Sequence, residues 1–305
     1  KKTIFEFPFI DVNEKFNTIK IQSGEWKLDR NLIIPENYTL FINEGTKIDL
    51  INSSSIISKS NIIASGSRES PIIISSSDKS GQGIFISESK KKSILNFVNF
   101  VNLNSINNEK TPIQLTGAVT FYKTAVDISN SRFIKSLSED ALNIIRSEFR
   151  LTDIFVDSSY SDSIDIDFSN GDISNVSIIN SGNDGLDFSG SSSHIENFYA
   201  NSIGDKGLSV GEDSDIKLSN GRINNCNYGV VSKDLSNLEI VNLNLNNCKI
   251  GLAAYQKKPE YGPGTISATK VKLNNVNKIS FVDINSNIFY DTILSETDNS
   301  DLQVN

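Results

Sequence analysis

Between residues 139 and 255 the apolar and polar positions recur every 22 residues. One column reads Asp140, Asp162, Asp184, Lys206, Tyr228 and Ile250, and the next reads Ala141, Ser163, Gly185, Gly207, Gly229 and Gly251. A third is apolar throughout: Leu142, Ile164, Leu186, Leu208, Val230 and Leu252. Six such lines follow one another without insertion, which marks a solenoid. Within each line, short β-branched alternations such as LDF, HIENF and DIKLS are broken by Gly, Asn, Asp and Ser. That pattern predicts strands joined by turns rather than helices. Three short strands per line fit one coil of a parallel β-helix, whose successive coils pair at about 4.8 Å. Leucine-rich repeats have a similar period, but the LxxLxLxxN spacing is absent.

The fold class expected is therefore all-β, a right-handed parallel β-helix of 22-residue coils. Residues 1–30 lack the repeat and are rich in aromatics (Phe5, Phe7, Phe9, Phe16, Trp26), as a cap over an open core would be. The coils are expected over 31–275, with a loop around Asn107-Asn108-Glu109-Lys110 and another at 256–264. Residues 276–305 form a last apolar segment and an acidic, frayed tail.

Composition agrees with this picture. The hydrophobic content of 37% is low for a compact enzyme but natural where each coil buries a thin strip. Asn and Ser are abundant because turns use them, and Asn tolerates left-handed backbone. The net charge of −8, with no basic stripe, argues against a nucleic-acid partner. Lys90-Lys91-Lys92 lies between strand-like segments and reads as a solvated turn. No apolar run approaches a membrane span. The chain holds no Met and begins Lys1-Lys2, which reads as the product of trimming, so a missing secretion leader carries no weight. Cys226 and Cys248 are also 22 apart, placing them on adjacent coils as a stacked reduced pair or a disulfide. A single histidine, His194, leaves no His-ligated metal chemistry and reads as a surface or turn residue.

Candidate chemistry sits in two acidic columns. Asp140, Asp162 and Asp184 stack at the turn, and Asn143, Asp165 and Asp187 stack three residues later on the outward face. Like charges on neighbouring coils repel unless something offsets them. Three remedies are open: a Ca²⁺ bound by Asp140, Asp162 and Asp184, pairing of Lys206 with Asp184, or a proton held on one carboxyl, the condition for general acid/base work. Against all three stands a purely local role, each Asp capping its own turn through an Asx hydrogen bond. Tyr255 with Lys257 and Lys258 forms a second patch, suited to sugar stacking and hydrogen bonding.

The coil pattern resembles the right-handed parallel β-helix of the pectate-lyase-like superfamily over roughly residues 31–275. Within it, SDSIDID, NDGLDF, DKGLSVG and VVSK are similar to the NTDG, QDD, GHG and RIK lines of polygalacturonase-type glycoside hydrolases. The resemblance implies catalytic carboxylates at Asp162 and Asp184, with Lys206 where the family has His and Lys233 where it has Lys. Gly185 stands where that family has a second Asp, and Val231 where it has Arg. The DPHD motif of mannuronan epimerases is absent. Arg146 and Arg150, near the aspartates in sequence, resemble the Arg base that pectate lyases set beside Ca²⁺ aspartates. The run GNDGLDFSGS to AAYQKKPE is also similar to bacterial envelope β-helix proteins of no assigned reaction.

Two functions follow as expectations. One is a secreted, periplasmic or cell-surface lyase or hydrolase on an acidic polysaccharide, with Asp162, Asp165, Asp184, Asp187 and Lys206 in catalysis and Lys233, Tyr255, Lys257 and Arg146 binding substrate. The other is a non-catalytic module for carbohydrate binding, adhesion or envelope assembly, because β-helices host both.

Overall fold

The computed structural model describes residues 7–106, 115–283, 285–291 and 293–296. The loop expected at 107–110 and the acidic tail lie outside the described residues. The chain is all-β, a parallel solenoid of about 12 turns of roughly 22 residues. Each turn contributes one strand to each of three files. Asp140–Ile145, Asp162–Asp167, Leu186–Ser189 and Lys206–Gly211 belong to the first file. The continuous stretch Glu148–Ser159 supplies the second file with its first half and the third with its remainder. Among the described residues no helix is long and apolar enough to cross a membrane.

Parallel pairing extends beyond both ends of the 31–275 body read from the sequence. Thr18–Ile21 and Glu25–Leu28 pair in parallel with the next turn. Ile10–Asn13 folds back antiparallel on Thr18–Ile21, and Phe7 and Phe9 close the end of the core, Phe9 stacking on Trp26 at 4.9 Å. At the other end Lys278–Val282, Asn287–Tyr290 and Ile293–Glu296 add a rung to each file.

Three corners close each turn, and single residues of left-handed backbone make them. Asn175, Asn197, Asn220 and Asn242 hold the corner between the second and third files with φ between 54° and 65°. Asn180, Asn225, Asn247 and Asn275 hold the corner that returns to the first. Asn tolerates this conformation better than other non-glycine residues, which explains its abundance. The stacked amides also bond one another, Asn197 Nδ2 to Asn175 Oδ1 at 3.0 Å and Asn242 Nδ2 to Asn220 Oδ1 at 2.8 Å.

The repeat is not free of insertions, as the uniform first column suggested. Ser189 pairs with Gly211, but Ser192 pairs with Asp215, so the corner at Glu212 and Asp213 holds one extra residue. One residue fewer before Tyr228 restores the register with Lys206. The two changes cancel, and a column that samples each turn once misses them.

Candidate functional site

In the first file, strict alternation breaks. Pairing runs Asp140 to Asp162 and Leu142 to Ile164, passing over the residue between. Ser163 turns inward, bonding the hydroxyls of Ser159 at 2.8 Å and Ser181 at 3.0 Å, and Ile164 is also fully buried. Two consecutive inward side chains form a bulge-like step that re-aims what precedes it. Asp162, Asp165 and Asp167 thereby share one outward face. The same step places Asp184 with Asp187 and Asp140 with Asn143, so the two predicted acidic columns lie side by side.

The carboxylates of the first column reach across turns. Asp162 Oδ1 accepts from the Asp184 amide at 2.8 Å and from Asn183 Nδ2 at 2.7 Å. Asp184 Oδ1 accepts from the Lys206 amide at 3.0 Å, and Lys206 Nζ lies 3.3 Å from both its oxygens. Each side chain thus serves the backbone of the following turn rather than its own Asx turn. Of the three remedies for stacked charge, pairing with Lys206 is present at Asp184. Burial still pushes Asp184 up to about 6 against that pairing. Burial would lower Lys206, but Asp184 and Asp205 outweigh it and hold the ammonium above its ordinary range.

Asp140 is 2% exposed, bonded to the Thr116 side chain, with Oδ2 buried and without a hydrogen-bond partner. Burial pushes it up to about 8, with Asp162, Glu139 and Asp167 adding to the shift. Among the described residues, no three His, Cys, Asp or Glu side chains form a group able to hold a metal ion. Asp140, Asp162 and Asp184 bond the Thr116 side chain, the Asp184 amide and the Lys206 amide respectively.

In the second column Asn143 Nδ2 donates to Asp165 Oδ2 at 3.0 Å and to Asp167 Oδ2 at 3.2 Å. Burial holds Asp165 well above the ordinary carboxylate range, reinforced by Asp140, Asp167, Asp187 and Asp162. Asp167 is raised for the same first reason. Asp187 Oδ1 has no hydrogen bond but lies 3.7 Å from Lys233 Nζ, which donates to Ser209 Oγ at 2.6 Å. Asp165 and Asp187 stand in register on adjacent rungs.

The other expected residues are distributed around this face. Tyr255 sits in register above Lys233, raised to about 12 by burial and edge-on to Phe281 at 6.1 Å. Lys257 is exposed on the loop beyond it, its amide donating to Asp234 Oδ1 at 2.6 Å, and Lys258 pairs with Glu212. Arg146 occupies the corner after the first file, whereas Arg150 lies in the second file beside Asp172, away from the aspartates. His194 is exposed in that second file, 3.3 Å from Ser219 Oγ. Asp167 and Ser209 were not singled out by sequence reasoning. Asp167 was legible as the next outward position after Asp165, but Ser209 carries no sequence signal.

No protein-family model matches the chain, and no curated protein sequence matches it. Solved structures do. A mutant of the periplasmic alginate epimerase AlgG superposes with a TM-score of 0.60 at 11% identity, covering 91% of this chain and 85% of that one. The catalytic domain of a GH87 α-1,3-glucanase with bound tetrasaccharides gives 0.45 at 13% identity, covering 90% of this chain and 63% of that one. The likeness to the epimerase is one of fold, and it agrees with the strand files described above. The chain is a parallel β-helix.

Proposed function

We propose that the aspartate face of the first file cleaves a polysaccharide by general acid/base hydrolysis. The observation that carries this reading is the unequal setting of Asp165 and Asp187, two in-register carboxyls with different partners. Burial among other acids keeps a proton on Asp165, while Lys233 stands beside Asp187. A carboxyl raised by burial next to one that has a cation beside it suits the roles of acid and nucleophile. Asp165 donates its proton to the glycosidic oxygen as the bond to the anomeric carbon breaks. Asp187, one strand spacing away, attacks that carbon as the bond breaks, and water then displaces Asp187, passing its proton to Asp165. Lys206 is a poor proton acceptor because Asp184 and Asp205 favour its charged form, which argues for hydrolysis over elimination. The protein then works where polysaccharide is met, at the cell surface, in the periplasm or outside.

The test is incubation with acidic and neutral polysaccharides, followed by assays for reducing ends and for unsaturated products. Hydrolysis gives reducing ends alone, and Asp165→Asn or Asp187→Asn should each lower the rate at least about 100-fold. Unsaturated products would replace hydrolysis by elimination. Binding without turnover on every substrate would favour a second reading, a non-catalytic glycan module. The mutual engagement of Asp162, Asp184 and Lys206 in cross-turn bonds supports that alternative.

A further inference from the structure

Down the second file the outward column changes character along the solenoid. In register it reads Lys20, Phe41, Ile63 and Ile94, then Asp127, Arg150, Asp172, His194, Lys217 and Glu239. From Asp127 onward the strands alternate apolar in and polar out, as in Val126–Ser129. The three earlier strands, Thr39–Asn43, Asn61–Ser65 and Ser93–Asn96, carry apolar residues on both sides. Sheets read that way where both faces are covered. Here the outer face is open. Ile94 is 43% exposed, Phe41 and Ile63 are half-buried, and none of the three belongs to the core.

Beside this strip runs the corner between the first and second files, which carries Lys59, then Lys90, Lys91 and Lys92, then Lys123 on consecutive turns. Lys59 pairs with Glu36 at 3.6 Å, Lys92 with Asp127 at 3.1 Å and Lys123 with Glu88 at 4.0 Å. Lys90 and Lys91 are exposed and have no ion-pair partner among the described residues. The corner is thus locally positive in a chain of net charge −8. Across it the first file bears a similar column, Ile33, Ile57 and Phe85. That column runs on through Thr120 into Asn143 and Asp165, and so belongs with the site already described.

We propose that the second-file face at Phe41, Ile63 and Ile94, with its lysine corner, docks the solenoid on an anionic lipid bilayer. Apolar side chains on three rungs about 4.8 Å apart enter the boundary between headgroups and acyl chains. Lys90 and Lys91 stand at the rim of this strip, where their stems cover apolar surface and their ammonium groups meet lipid phosphates. Screening confines the attraction to charges within about 10 Å of the surface, so this corner acts while the distant acids do not. Charge complementarity selects the bilayer over a second copy of the chain, whose equivalent face would bring a second set of unpaired lysines to the contact. The docking does not depend on the reaction at the aspartate face.

The test is co-sedimentation of the full chain with vesicles of phosphatidylcholine alone or mixed with phosphatidylglycerol, alongside sedimentation equilibrium without lipid. The variants are Lys90→Gln/Lys91→Gln and Ile63→Ser/Ile94→Ser. Both change outward side chains, and later turns carry polar residues in the Ile63 column, so both should melt with the parent. Binding is expected to the mixed vesicles and not to phosphatidylcholine alone. The lysine variant should weaken it about tenfold or more, and the isoleucine variant at least about fivefold. Added salt should release the protein. Binding to neither vesicle overturns the docking surface, as does binding to mixed vesicles that either variant leaves unchanged. A concentration-dependent dimer dispersed by Ile63→Ser/Ile94→Ser, with no vesicle binding, would overturn it in favour of a second copy.

Discussion

Asp165 faces Asp187 across one strand spacing in parallel register, yet Asp165 meets the Asn143 amide while Asp187 meets the Lys233 ammonium. Two identical side chains at equivalent positions of the repeat thus meet different partners. The difference comes from their neighbours along the file, Asn143 on one side and Ser209 with Lys233 on the other.

The protonated acids make stability depend on pH. Asp140 is raised to about 8 and Asp184 to about 6, both from 3.8. A carboxyl whose folded value is raised binds its proton more tightly when folded. Its contribution is complete below the unfolded value and is lost as pH rises through the folded one. The solenoid should therefore lose stability, on the order of a few kcal/mol, between about pH 4 and pH 8. Thermal melts across this range should show Tm falling with pH, and Asp140→Asn should flatten the slope. A Tm that rises with pH would contradict the assignment of protons to this face.

Lys206→Ala removes the cation from Asp184, which is 3% exposed. An uncompensated buried charge costs roughly 3–5 kcal/mol. Denaturant unfolding at pH 8 should register most of this loss, and at pH 5, where Asp184 takes up a proton, much less. Equal losses at both pH values would mean that Lys206 acts through packing.

Asn197→Val tests the corners. Asn197 has φ of 58° and donates to Asn175 Oδ1 at 3.0 Å. A β-branched side chain in left-handed backbone should cost roughly 1–2 kcal/mol, and Asn197→Gly considerably less. If both variants unfold at the same denaturant concentration, the strain is not located at this residue.

Cys226 and Cys248 are buried free thiols on adjacent turns, their sulfurs 2.8 Å apart. The hydrogen bond from Cys226 to Cys248, together with burial, raises the Cys226 thiol. A thiol reagent should find neither group in the native protein and both after unfolding without reductant. Unfolded protein with no titratable thiol would identify a disulfide.

The fold was legible in the sequence because a solenoid writes its architecture as a period. Leu142, Ile164, Leu186 and Leu208 had to stack inward once the coils were in register, and the two aspartate columns followed from the same spacing. Periodicity also placed Cys226 on Cys248. What the columns could not convey is direction and environment. The inward step at Ser163, the compensated insertion at Glu212 and Asp213, and the reach of Asp162 to the next turn's amide all depend on side chains meeting across turns. Arg146 and Arg150 are four residues apart in the chain, yet one closes a corner beside the acids and the other lies in a different file. Asp140 and Asp165 are raised by burial among like charges, a property of the assembled face and not of any single line of the repeat.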